Sequence, residues 1–107
     1  LPFYLIQLAY NDKGLKSLVN NPQNRLEAFR PVIERLGGKI HGAWFSFGEY
    51  DFVAIVDIPN NVNAVALFMA TSAGGSVKAY KTTPLLTIEE SMEAMKMAST
   101  AEYQPPR

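Results

Sequence analysis

Apolar and polar positions along the chain change their period several times, and each change marks an element. Phe3 to Tyr10 is a run of aromatic and aliphatic residues broken once by Gln7 and followed by Asn11-Asp12, which predicts a strand ending at turn or cap residues. A short helical turn over Gly14 to Val19 follows. Asn21 then offers an N-cap oxygen and Pro22 suits the first helical position, and from there Leu26, Phe29, Ile33 and Leu36 recur at spacings of three and four. The spacing predicts a helix with one buried stripe, ended by Gly37-Gly38, with Pro31 expected to kink or split it.

The densest strand pattern lies in the middle of the chain. Lys39 to Phe47 and Tyr50 to Ile58 are rich in aromatic and branched residues, and Gly48-Glu49 between them reads as a tight hairpin turn. Placing Phe47 opposite Tyr50 pairs Phe45 with Phe52, Ala43 with Ala54 and His41 with Val56. The other face then pairs Ser46 with Asp51, Trp44 with Val53 and Gly42 with Ile55. Asn61 to Ala73 carries Val62, Val65, Ala66, Met69 and Ala73 on one stripe, a second helix stopped by Gly74-Gly75. Ser76 to Thr83 reads as a fourth strand. Thr87-Ile88-Glu89-Glu90 forms a capping box that opens a third helix running to about Ala98.

The predicted order is βαββαβ followed by a helix, an α+β arrangement of the ferredoxin-like type. A single domain spans residues 1–98, with 99–107 as a flexible tail. Two helices cover one face of a four-stranded sheet, so the other face should alternate toward polar residues if it meets water. It does not: Trp44, Val53 and Ile55 share one face while Ala43, Phe45, Phe52, Ala54 and Val56 share the other. Either a second copy covers the spare face, pairing the sheets into a dimeric α/β barrel, or the last helix folds across it.

Composition narrows the chemistry. Ten acidic and ten basic side chains cancel, which leaves no excess positive field for nucleic acid or an anionic membrane surface. The absence of cysteine removes disulfides, thiolate metal sites and cysteine nucleophiles, and a single histidine precludes a multi-histidine metal centre within one chain. The apolar run at Phe3 to Ala9 falls well short of the ~20 residues that cross a bilayer, and it has neither the basic flank nor the cleavage site of a secretory leader. Residence in the cytoplasm is the expectation.

The run Phe47-Gly48-Glu49-Tyr50-Asp51, followed by Val53, Ile55, Val56 and Asp57, resembles the signature of the GYD domain family, small bacterial and archaeal proteins named for that Gly-x-Tyr-Asp turn. Leu36-Gly37-Gly38-Lys39-Ile40, Ser72 to Lys78, Lys81-Thr82-Thr83-Pro84-Leu85 and Tyr103-Gln104-Pro105-Pro106 resemble the family's pattern as well. The resemblance implies a ferredoxin-like fold of the dimeric α/β barrel kind. It implies little about activity, because that fold carries monooxygenases, isomerases, haem enzymes and sensing modules alike.

His41, the lone imidazole, is the candidate proton carrier, with Asp51 or Tyr50 orienting it; a structural histidine at a sheet edge or dimer seam is the competing reading. Trp44, Phe45, Phe52 and Tyr10 are candidates to line an apolar pocket for a planar organic ligand, or else belong to the core or an interface. The three functional expectations are a homodimer binding a small organic molecule, as a cofactor-independent isomerase or oxygenase; a non-catalytic sensing or assembly module; and a haem protein ligated through His41. Gly74-Gly75-Ser76 follows a helix instead of preceding one, so it is no phosphate loop. Arg25, Arg30 and Arg35, spaced at five, read as solvated surface.

Overall fold

The computed structural model describes residues 2–107; Leu1, the first residue of the expected domain, lies outside them. Its elements are β1 (Phe3–Tyr10), α1 (Asp12–Asn20), α2 (Arg25–Arg35), β2 (Lys39–Phe45), β3 (Phe52–Asp57), α3 (Asn61–Ala73), β4 (Val77–Leu85) and α4 (Ile88–Ser99). The architecture is α+β, with one four-stranded antiparallel sheet in the order β2-β3-β1-β4 and four helices.

Side-chain oxygens start all four helices. Asn11, Asn24 and Asn60 accept from the backbone N–H of Gly14, Leu26 and Asn63, and Thr87 forms the expected reciprocal box with Glu90. The cap of α2 is therefore Asn24 and not Asn21, which places Pro22 in the connection before the helix. Helix α1 begins earlier than expected because Asn11 caps it directly at the end of β1. Pro31 leaves α2 unbroken. Pro31 and Glu27, whose carbonyl loses its helical donor, both lie on the exposed side, where solvent satisfies the orphaned group. The C-terminal turn closes as glycine dictates: Gly37 adopts φ +80° and the Gly38 N–H reaches back to the Ile33 carbonyl.

Period-two alternation along β1 sorts its side chains between the two faces. Tyr4, Ile6, Leu8 and Tyr10 join Phe52, Ala54 and Val56 of β3 under the helices, where Ile33, Ile58, Ala64 and Leu67 complete the buried core. Phe3, Leu5, Val53 and Ile55 point the other way with Trp44, and no helix lies over them. Trp44 is 58% exposed on this open face. Its ring lies along the strand over Gly42, where a Cβ would sit 2.6 Å from Cη2, so a side chain at position 42 would collide with the indole.

The last helix does not cover that face. Among the described residues α4 buries none of its side chains, and the molecule extends 57 Å along its longest axis. Its radius of gyration of 17.2 Å exceeds the ~13 Å of a compact chain of this length.

Candidate functional site

The hairpin pairs as expected over Gly42 to Phe45: Phe45 faces Phe52, Ala43 faces Ala54, and Trp44 and Gly42 face Val53 and Ile55. Two features depart from the simple register. The connection is longer than a two-residue turn, because the last ladder bond runs from Ser46 N–H to the Asp51 carbonyl and leaves Phe47 to Tyr50 as a four-residue loop. Asp51 explains this. Its N–H donates to the Leu8 carbonyl and its carboxylate accepts from the Tyr10 N–H at 2.9 Å, so the residue is drawn toward β1. Phe47 is left 96% exposed at the tip, and the Ser46 hydroxyl holds the Tyr50 carbonyl at 2.7 Å.

The second departure is a bulge between Ile40 and Gly42. Ile40 takes the place opposite Val56 that His41 would have filled, and the extra residue turns His41 from the helix side to the open face. There its Nε2 meets Asp57 Oδ2 at 2.5 Å, and Phe3 packs against the imidazole with ring centroids 4.8 Å apart. Asp57 is buried, and its place in the family-like run carries no hint that it meets His41. Its role depends on a one-residue slip that alternation does not reveal.

On the opposite face, between the sheet and helices α2 and α3, lies a cavity of about 220 Å³. Leu8, Phe29, Val32, Phe52 and Val77 form apolar walls, with Phe29 meeting Phe52 edge-on at 5.5 Å. Tyr10, Arg25, Thr71 and Ser76 supply its polar groups. Burial pushes the Tyr10 phenol above its ordinary pKa; the Arg25 guanidinium beside it opposes that shift and the Asp51 charge adds to it. Arg25 Nη1 donates to Gln23 Oε1 at 2.8 Å. No carboxylate lies within ion-pair distance of this guanidinium among the described residues.

The structure thus divides the expected site residues. Tyr10 and Phe52 line one cavity, with Asp51 bonded to the Tyr10 backbone at its edge. Phe45 opens onto an adjacent groove that Phe52 also borders, and Trp44 stands on the open face with its edge reaching the same groove. His41 stands across the sheet from the cavity, beside Asp57 at the far end of β3 from Asp51. Arg25, which the sequence placed on solvated surface, faces the cavity because the start of α2 lies beside the end of β1. Nothing local in sequence signals that meeting. No group of three or more metal-ligating side chains occurs among the described residues. Likewise, no helix is long and apolar enough to cross a membrane.

Comparison with known proteins gives three findings. The profile of the GYD domain matches residues 4–95. A protein of Thermus thermophilus named glutamine synthetase and cystathionine beta-lyase binding protein is 24% identical over 78 residues, covering 73% of this chain and 82% of its own length. The crystal structure of FFRP-DM1 superposes with a TM-score of 0.46 at 12% identity, covering 80% of this chain and all of its own.

Proposed function

The chain belongs to the GYD domain family, and on that premise we propose that it is a non-catalytic assembly module. Its working unit is a homodimer of ferredoxin-like protomers packed open face to open face as an α/β barrel, and it binds partner proteins. One observation carries this reading: Phe3, Leu5, Trp44, Val53 and Ile55 share an apolar sheet face over which none of the described helices packs, Phe3 and Trp44 exposed and the other three half-buried. A two-fold axis through that surface removes it from water with no further structure needed.

The arrangement of polar groups supports binding over turnover. His41 is held by Asp57 and Phe3 on the face opposite the cavity, so the proton carrier and the pocket expected to act together do not meet within a protomer. Haem ligation through Nε2 would require displacing the Asp57 carboxylate. The Thermus relative is named for binding two proteins, which supports protein partners as a class without carrying those two over to this chain. Val53→Asp places a charge in the centre of the open face. The expected result is a single-chain mass by sedimentation velocity at a concentration where the parent sediments as a dimer, with the far-ultraviolet spectrum unchanged. A parent chain that sediments alone overturns the reading.

A second reading rests on Arg25. A guanidinium with no acidic partner, opening beside a phenol into an apolar cavity, suits a small organic carboxylate whose apolar body lies against Phe29 and Phe52. Calorimetric titration with benzoate tests it. Saturable binding that weakens at least tenfold in Arg25→Gln supports the site, and heats that do not differ between the two chains remove it.

A further inference from the structure

The strongest unexplained feature is α4, a well-capped helix with none of its side chains buried among the described residues. Ile88, Met92 and Met95 recur at i, i+4 and i+7, and Leu86 precedes them on the approach; their exposures run from 52% to 72%. Glu89, Glu90, Glu93 and Lys96 lie away from that stripe, interrupted by Met97, 68% exposed, so the arm carries an acidic side with one apolar residue in it. Elsewhere on the molecule an apolar groove of about 470 Å³ runs between α1 and the β2 edge. Leu15, Leu18, Val19, Leu26, Ala43 and Phe45 line it. Val19 is 78% and Phe45 63% exposed. Lys13 and Lys16 lie on the same helix as Leu15 and Val19, and Arg25 stands at the groove itself.

We propose that the α4 arm of one copy lies in the α1–β2 groove of a second copy, apolar stripe inward and acidic side toward Lys16 and Arg25. This rests on the reading of the chain as self-associating, and it names the surface that exchange would use. Helix-in-groove recognition requires an apolar stripe of this spacing and a concave apolar receptor, and the chain carries both, each without an occupant.

The arm lies away from its own groove. It leaves the sheet from the β4 edge at Leu85, which pairs with Phe3, whereas the groove sits at the β2 edge beside Phe52, which pairs with Leu8. Those points are diagonal corners of the sheet, three inter-strand steps and five residues apart, or roughly 20 Å. Helix α4 buries none of its side chains among the described residues, and only its first turn, at Glu90, comes near the end of the sheet at Phe3 and Leu85.

The area is adequate for a stable contact. Four large apolar side chains exposed by more than half present on the order of 400 Å² per arm. The groove offers a smaller area, and two reciprocal arms bring the total to roughly 1,000 Å², the lower end of a specific interface.

The chain has no cysteine, so paired cysteines report the contact directly. Met92→Cys chains are mixed with Val19→Cys chains under mild oxidant, with Val62→Cys chains as the control and Met95→Cys with Leu15→Cys as a second pair. The expected result is a disulfide-linked heterodimer at twice the chain mass, forming at least tenfold faster for the arm–groove pairs than for the control. Equal rates, with the unmodified protein still sedimenting as a dimer, overturn the arm proposal and leave the sheet pairing standing. A Met92→Cys/Val19→Cys double variant that closes within one chain also overturns it. A single-chain mass for the unmodified protein removes both readings.

Discussion

Replacing Trp44 with alanine should separate association from folding. The indole lies on the open face over Gly42, with 58% of its surface free in the protomer. Taking ~250 Å² for a tryptophan side chain, that fraction is roughly 145 Å², worth ~3.6 kcal/mol per copy if wholly buried on pairing. Interfaces realise only part of such a ceiling, because ordering and desolvation costs offset it; about half leaves ~2 kcal/mol per copy. A symmetric dimer contains the residue twice, so Trp44→Ala should raise the dimer dissociation constant about a thousandfold. The cost to the protomer is far smaller, near 1 kcal/mol, since the ring packs on one side only. Sedimentation equilibrium across the micromolar range reads the first quantity and urea unfolding under monomeric conditions reads the second. A dissociation constant shifted less than tenfold would refute the reasoning.

Other substitutions probe individual contacts. Gly42→Val drives a Cβ into the Trp44 ring, at 2.6 Å from Cη2, and should cost about 1 kcal/mol and move the emission of this sole tryptophan; an unchanged spectrum contradicts the packing. Asp57→Asn weakens the 2.5 Å contact to His41 and should cost about 1 kcal/mol of stability, seen as a lower urea midpoint at constant slope. The buried Tyr80 hydroxyl has only the Thr82 side chain beside it and no well-formed hydrogen bond among the described residues, so Tyr80→Phe should leave the fold as stable or stabilise it by up to about 1 kcal/mol. Burial raises the pKa of both Tyr80 and Tyr10 above the ordinary 10.0. The folded state therefore favours the neutral phenols, and stability should be complete below pH 10 and fall above it. Thermal melts of the parent and Tyr80→Phe from pH 8 upward check this: the variant should lose less on the alkaline side.

Much of the fold is legible because it depends on local periodicity. The Thr87 capping box, the glycine stops and the β2–β3 pairing from Gly42 to Phe45 all follow from residues near one another in the chain, whereas the α2 cap falls on Asn24 and not on the Asn21 that the pattern suggests. The candidate site is less legible because each part depends on something non-local or on one inserted residue. The bulge at His41 reverses its face and gives it Asp57, and alternation alone assigns it to the other side. Asp51 reads as a turn residue, yet it is fixed by β1, a strand 41 positions away. Arg25 becomes a cavity residue only when the start of α2 reaches the end of β1. The excess of apolar residues on both faces of the sheet was readable in advance, and the exposed position of α4 was not.

Sedimentation equilibrium of the unmodified chain between about 1 and 50 µM tests the central claim most directly. The account predicts a mass of twice 11.9 kDa over that range, with Trp44 fluorescence shifted to the blue of its position in the dissociated protomer. A mass of one chain throughout, with the tryptophan emission fixed at its solvent-exposed position, would contradict it.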